Sequence, residues 1–457
     1  MEEESKEHIA FEITEALLEN ITGLIDAEND TALIPLLEEF HYADIAEILD
    51  ELEFDQAIYV IKLLDSEKTS DILSELDEDV REKILENLSA KEIAEEIEEL
   101  DSDDAADIIG ELPEERQEEV IELVEDEEVK ADIQELLAYD EDSAGGLMAK
   151  ELVKVNENWT VTQCVGEMRA QAENVTRVHS IYVVDNDDRL IGRLSLKDLL
   201  MAPDRANISS VYIPKVDSVH VNDEAEDVAK VMQKYDLEAI PVVDDNNTLL
   251  GRITIDDIVD VIKEEAEKDY QLAAGITQDV ESSDSILQLT RARLPWLFLG
   301  LIGGVGAFLI MEGFQASFKE YAVLFFFTPL IAAMAGNVGV QSSAIIVQGL
   351  ANDDVKGSIN NRLIKEMFLA MLNGFILAMF LLLFVWVYTN ELDKALAISV
   401  SLGAVIIVAG LIGTFVPLFL DKRGIDPAIA TGPFITTSND IFGILIYFWI
   451  AKLILGI

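Results

Sequence analysis

The sequence predicts a multidomain chain: an α-helical superhelix, then a duplicated α/β unit, then an all-α transmembrane bundle of five helices. Three observations carry this. A leucine period of twelve runs through residues 52–136, two similar α/β segments follow, and five apolar stretches close the chain, each near the ~20 residues that cross a bilayer. Charge divides the chain in the same way. The 457 residues hold 89 acids and 32 bases, a formal charge of −57, yet the ten acids and ten bases after Ser285 balance. The entire excess therefore lies on the polar front part.

The superhelix comes first. Leu52, Leu64, Leu76, Leu88, Leu100, Leu112, Val124 and Leu136 each close a short amphipathic unit such as IAEILDEL, TSDILSEL, IAEEIEEL or AADIIGEL. Asp77, Ser89, Asp101 and Pro113 stand between units, where helix caps belong. Helices this short cannot bury an apolar face alone and must stack. Residues 1–137 are expected to form this acidic domain, helical from about residue 10. Acidic faces also serve solubility, but solubility does not explain why the excess stops at the apolar part.

Composition narrows the chemistry. MEEESKEHIAF has no basic-then-apolar pattern, so neither a signal nor a transit peptide is expected. A single cysteine, Cys164, excludes an internal disulfide and fits a reducing compartment. His8, His41, His179 and His220 are scattered without Cys/His ligand spacing, while abundant carboxylates favour hard ions such as Mg²⁺ or Ca²⁺. Nucleic acid is not an expected partner, since phosphate contacts need clustered Lys and Arg. No GxxxxGK[ST] occurs, which excludes a Walker-type pump, and with no reaction chemistry evident the chain is not expected to be an enzyme.

From about Tyr139 the pattern becomes mixed and repeats: SIYVVDNDDRLIGRLSLKDLL is echoed by AIPVVDDNNTLLGRITIDDIV. Each copy has an apolar strand, an acidic turn, a second strand with Gly-Arg, and Ser/Thr-x-x-Asp opening a helix. This resembles a tandem pair of α/β CBS domains, here residues 138–202 and 203–262. The resemblance implies a regulatory module that binds nucleotides such as ATP, or ions, and often dimerises. By it, Ser195 and Asp198, and Thr254 and Asp257, sit where a ribose is held. Equally, Ser195 and Thr254 can simply cap helices with an acidic first turn. A charged helical stretch, VIKEEAEKDYQLAAGI, then joins this module to the apolar part, giving a connecting segment over 263–290 that is either a lever or an inert linker.

The membrane domain, 291–457, holds five expected spans: Leu294–Met311, Tyr321–Leu350, Met367–Tyr388, Ala395–Leu420 and Pro427–Leu455, the second interrupted by AGNVG. Arg291 and Arg293 precede the first, Lys356, Arg362 and Lys365 follow the second, and Lys422 and Arg423 follow the fourth; the other two loops hold only Lys319 and Lys394. The positive-inside rule places the N-terminal body in the cytoplasm and the C-terminus outside, as expected of a multi-pass plasma-membrane (bacterial inner-membrane type) protein. Five helices suit a pore shared about a two-fold axis better than one within a single chain.

Two polar stretches interrupt this apolar part. AGNVGVQSS brings Asn337, Gln341, Ser342 and Ser343, and DPAIATGPFITTSNDIFG runs from Asp426 to Gly443. Pro433 is expected to break or kink the fifth helix and, with Gly432, to free backbone carbonyls. Asp440 lies seven residues on, on the same face, with Thr436 between and Thr437 and Asn439 nearby. An intramembrane carboxylate is expensive and usually marks an ion pathway. Mg²⁺ sheds water reluctantly, so a pore can hold it hydrated with carboxylate charge and oxygen acceptors. The competing reading is a neutral Asp440 hydrogen-bonded within a helix interface.

GNVGVQSS, DPAIATGPFITTSNDIFG, the CBS pair, the acidic superhelix and YDEDSAGGLM together resemble, over essentially the whole chain and in order, the MgtE family of Mg²⁺ channels and transporters. That resemblance implies a homodimer whose central pore is lined by the second and fifth helices. It also implies a cytosolic Mg²⁺ sensor joined to the pore by a plug helix. By motif, Asp440 matches the pore aspartate, Asp426 the acid at the cytoplasmic entrance, and Thr436 and Gly432 further pore-site positions. Asn337, Gln341, Pro433, Thr437 and Asn439 are the remaining expected pore-lining residues. Sensor positions fall on Asp71, Asp103, Asp107 and the Gly146 carbonyl, on Glu224, Glu226, Asp236, Asp257 and Asp260, and on Glu265 and Asp269 of the plug helix. Three departures stand out. Gly432 and Val340 replace asparagines, which weakens the expectation of strict selectivity. Lys268 replaces a plug-helix acid and either weakens a sensor site or bridges a carboxylate directly.

The expected mechanism follows from charge. Close acidic faces repel, and a divalent ion bridging them selects a compact state by differential binding. The expected function is Mg²⁺ import gated shut by cytosolic Mg²⁺. Two other classes remain in view: a carrier coupling metal to protons through Asp440, and a membrane-anchored receptor for a basic partner.

Overall fold

The computed structural model describes residues 13–457 apart from 172–174, 176–177, 179, 279, 281–283, 352–358 and 431. His8, His179 and Lys356 lie outside the described residues. The chain divides into two units, Met1–Ile262 and Lys263–Ile457.

The first unit begins with short helices from Glu15–Asp26 to Glu127–Leu136. Asp77, Ser89, Asp101 and Pro113 are the N-cap residues of four of them. At Ser89 the cap is reciprocal: its hydroxyl accepts from the Glu92 amide at 3.2 Å, and the Glu92 carboxylate accepts from the Ser89 amide at 2.6 Å. Helices pack on their next-but-one neighbours, Tyr42–Glu51 on Ser66–Glu75, Ala90–Ile97 on Glu114–Leu123, and Ser102–Gly110 on Glu127–Leu136. Ile45, Ile72, Leu85, Ile93, Ile109 and Val120 share one continuous core. Each such side chain contributes about 1.5–3 kcal/mol of burial, so stacking stabilises what no single helix could. Arg81 ties successive repeats, pairing with Glu111 and donating to the Leu73, Ser74 and Leu76 carbonyls at 3.2–3.3 Å.

The duplicated module follows. β1 (Val153–Asn156), β2 (Ile181–Val184), β3 (Leu190–Leu194) and β4 (Ile213–Pro214) form one sheet in that order; β5 (Val219–His220), β6 (Ala239–Val243) and β7 (Leu249–Thr254) form the other. In each, a parallel pair is followed by an antiparallel one. The acidic turns are equivalent too. Asp185 accepts from the amides of Asp187 (2.8 Å) and Arg189 (3.0 Å), and Asp244 from those of Asn246 (2.9 Å) and Thr248 (2.7 Å). These bonds hold both carboxyls below their usual range. Asp188 and Asn247, next along, adopt the left-handed conformation that short polar side chains tolerate.

A single connecting helix, Ile255–Ala274, starts within the second copy and runs into the membrane unit. There Ile286–Gln315, Thr328–Ala351, Ile359–Thr389, Leu392–Asp421 and Gly432–Leu455 are long and apolar enough to cross a bilayer. The fourth is the most buried and packs on the second, third and fifth. Phe448 of the fifth stacks on Phe314 (5.4 Å) and meets Phe325 at a tilt (4.8 Å).

One expectation is corrected here and another is narrowed. The second span is not broken at AGNVG: a separate turn, Val323–Phe326, precedes a continuous helix, and the break falls at Phe327, just before Thr328–Pro329. Those glycines serve close packing instead, since a Cβ on Gly413 of the fourth helix would strike the Gly339 carbonyl. Pro433, expected to break or kink the fifth helix, marks a break: the span expected from Pro427 is divided just before it. It sits in the first turn, where its missing N–H is harmless, and Pro427–Ala430 is a separate 3₁₀ turn.

Candidate functional site

A cavity of about 450 Å³ lies between the second and fifth membrane helices, lined by Ala332, Ala333, Gly336, Asn337, Val340, Gln341, Thr436 and Asp440. Asn337 and Gln341 are four apart, as are Thr436 and Asp440, so each pair shares one helix face. The cavity has room for several waters. One carboxylate, two amides and a hydroxyl line the space, with alanines and glycine between them. Ala332 and Gly336, at i and i+4, open the space, a small-residue spacing visible in the sequence itself.

Other expected pore residues lie elsewhere. Asn439 is 1 % exposed; its amide donates to the Ala335 carbonyl at 3.3 Å and its side chain lies over Gly339. It joins the fifth helix to the second rather than lining the cavity. The Thr437 methyl packs on Gly303 of the first helix. The reason is angular: positions one residue from Thr436 or Asp440 turn by about 100° around the helix. Asp426 is exposed and caps the 3₁₀ turn, accepting from the Ala428 amide at 2.7 Å.

Gly432 has a role the sequence did not suggest. Its φ of +40° suits glycine, and a Cβ there would strike the Ala273 carbonyl at the end of the connecting helix. Gly275 (φ +84°) likewise abuts Pro433. The end of the connecting helix therefore rests on the start of the fifth membrane helix through two glycines. The Gly432 carbonyl, expected to be free, accepts from the Thr436 hydroxyl at 2.8 Å.

In the first unit the sequence-expected acids divide. Asp103, Asp107 and Asp257 gather with Asp104. Burial, and then the charge of Asp104 and Asp257, pushes the Asp103 carboxyl well above its usual range. Burial followed by Asp257 and Asp101 pushes Asp104 up to about 7, and burial followed by Asp104 and Glu141 does the same to Asp107. Burial also raises Asp257, against bonds from the Thr254 amide (2.9 Å) and hydroxyl (2.8 Å). Carboxylate oxygens of Asp101, Asp103 and Glu151 lie within 4.8 Å of one another. Asp101, Asp104 and Glu151 were not foreseen; Glu151 meets Asp101 and Asp103 across some 50 residues, which leaves no mark in local spacing. Gly146 packs where a Cβ would lie 2.7 Å from the Glu141 carbonyl, which keeps the Asp140–Glu141 loop folded beside this cluster.

Asp71 is raised by burial and then by Glu67, and the charge of Asp260 reaches Glu75. Glu224, Glu226 and Asp236 stay exposed along Ala225–Tyr235, Glu226 pairing with Lys230 at 2.8 Å. The structure does not gather these three with the buried acids. On the connecting helix Lys268 pairs with Glu265 at 2.9 Å, the direct bridge, while Asp269 is half-buried. Ser195 caps Leu196–Met201, its hydroxyl accepting from the Asp198 amide at 3.2 Å, so Ser195 and Thr254 both engage their helix's own first turn.

Known proteins match each part. The family profile described as divalent cation transporter matches residues 328–450, the MgtE intracellular N domain matches 40–142, and the CBS domain matches 144–205 and 208–264. The magnesium transporter MgtE of Thermus thermophilus is 33% identical over 456 residues, covering 98% of this chain and 99% of its own. That of Enterococcus faecalis is 38% identical over 319 residues, covering 69% and 70%. Among solved structures, the cytosolic domain of the Mg²⁺ channel MgtE in complex with ATP is 34% identical, with a TM-score of 0.51, covering 54% of this chain and all of that one.

Proposed function

The chain belongs to the MgtE family of divalent cation transporters, as a multi-pass membrane protein with a cytoplasmic N domain, and from that premise we propose that it conducts Mg²⁺ inward past Asp440 and is shut by cytosolic Mg²⁺. The observation that carries this reading is the cavity between the second and fifth helices with a single carboxylate on its wall. Asp440 supplies the attraction, and Thr436, Asn337 and Gln341 offer oxygens to the ion's waters, so the ion need not shed its shell. Two copies about a two-fold axis double the charge facing the path, with the C-termini outside.

Shutting uses the buried acids. Asp103, Asp104, Asp107 and Asp257 repel one another and resist ionisation where they are packed. A dication supplies the missing positive charge, so it binds the packed arrangement in preference to any looser one. Swinging a gate from 1:99 to 99:1 takes about 5.5 kcal/mol of differential binding, within reach of several weak sites per subunit. The connecting helix carries the result to Gly432 and Pro433. We further assign ATP to the CBS pair, supported by the 34%-identical cytosolic domain that binds it.

The test is Mg²⁺ flux into proteoliposomes at low and high Mg²⁺ on the cytoplasmic face. Wild type should pass Mg²⁺ at low and stop at high concentration. Asp440→Asn should lose most flux, while what remains should still stop at high concentration. Undiminished flux in Asp440→Asn sinks the pore assignment, and a strict need for a proton gradient would make the chain a carrier.

A further inference from the structure

A carboxylate near the start of the third membrane helix takes no part in the cavity. Glu366 is the eighth residue of the third helix, Ile359–Thr389, about 10 Å along it at 1.5 Å per residue. It is half-buried and accepts a hydrogen bond from the Ser342 hydroxyl of the second helix at 2.6 Å. The fourth helix makes room for this pair at Gly410, where a Cβ would stand 2.9 Å from Glu366 Oε1 and 3.6 Å from Ser342 Oγ. Three other hydroxyls in these helices behave differently. Thr290, Thr389 and Thr436 donate to their own helix's carbonyl four residues back, at 2.6–2.8 Å. Ser342 donates across to another helix.

The position matters because Ser342 follows Gln341. It points about 100° away from the face that Asn337 and Gln341 present to the cavity. The second helix is thus held on its other sides by Asn439 at Ala335, by Gly413 at Gly339 and by Glu366 at Ser342. A turn of about 20° about its axis would carry side-chain tips at a ~5–6 Å radius through about 2 Å. That is enough to move both amides off an ion's water shell.

We propose that Glu366 is a positioning residue for ion passage: through Ser342 it fixes the rotation of the second helix and thereby where Asn337 and Gln341 meet the hydrated cation. This rests on the transport reading above, and it concerns discrimination between ions rather than attraction.

The experiment compares Ser342→Ala, Glu366→Ala, Glu366→Gln and the double variant Ser342→Ala/Glu366→Ala in proteoliposomes. Flux of Mg²⁺ and of Co²⁺ is measured per reconstituted molecule, with the ratio as the readout. Ser342→Ala and Glu366→Ala should each shift that ratio about threefold, the factor a typical intramembrane interhelical hydrogen bond supplies. The double variant should shift it no further, and Glu366→Gln, which keeps an acceptor oxygen, should return it towards wild type. Wild-type ratios in both single variants overturn the proposal, as does a loss confined to the amount of folded protein; Ser342→Ala guards against a Glu366 variant that fails to fold. A wild-type chain passing no Mg²⁺ would defeat the transport reading itself, a result distinct from unchanged ratios in a conducting protein.

Discussion

Replacing Gly432 with alanine should loosen the gate. At φ +40° an alanine carries the left-handed penalty of about 1–2 kcal/mol. Its Cβ would also strike the Ala273 carbonyl, and a backbone oxygen cannot rotate aside as a side chain can. The connecting helix must therefore withdraw, so whichever state holds this contact is disfavoured by at least that strain. In the proposed mechanism that state is the shut one. A bias of 1–2 kcal/mol is a factor of about 5–30 in an equilibrium, so the Mg²⁺ needed for half-inhibition should rise by about that factor while maximal flux is kept. Gly432→Asn should shift it less, because asparagine enters the left-handed region more readily. The assay is flux into proteoliposomes across a series of cytoplasmic Mg²⁺ concentrations. An inhibition curve for Gly432→Ala superimposed on wild type would refute the idea that this contact holds the gate.

Other outcomes follow from the first unit. Burial drives the Glu96 carboxyl up to about 7, against opposing bonds from Ser66 and Ser70. A raised acid binds more protons folded than unfolded, so stability should fall as pH rises from about 4.5 to 7 and level off above. Glu96→Gln should flatten that slope, which urea unfolding at several pH values would measure at about 1–2 kcal/mol after allowing for its partial exposure. Ser89→Ala removes one side of the capping box and should cost about 1 kcal/mol in the same assay, with Ser89→Asp close to wild type. Asp107→Asn relieves repulsion, so the metal-free unit should be more stable than wild type while Mg²⁺ adds less; thermal unfolding with and without Mg²⁺ would check both, and an undiminished Mg²⁺ effect would remove Asp107 from the sensor.

Periodic and additive features could be read along the chain. The twelve-residue leucine spacing, the caps at Asp77, Ser89, Asp101 and Pro113, the doubled VVD turn and the five apolar stretches are each set within a few neighbouring residues. Asp440 and Thr436 facing one way also followed from helical spacing. Which neighbour a side chain meets is another matter, since it depends on how elements far apart in the chain pack together. Thus Asn439, one position from Asp440, closes a helix contact instead of lining the cavity. Gly432 reads in the sequence as a missing polar group, whereas in the fold the end of the connecting helix lies against it. Asp101, Asp104 and Glu151 joined the acidic cluster, and Glu366 met Ser342, across separations that no local pattern encodes. Local sequence specifies helices, turns and the faces they offer; the burial and mutual repulsion that give carboxylates their chemistry arise only once distant faces have closed on one another.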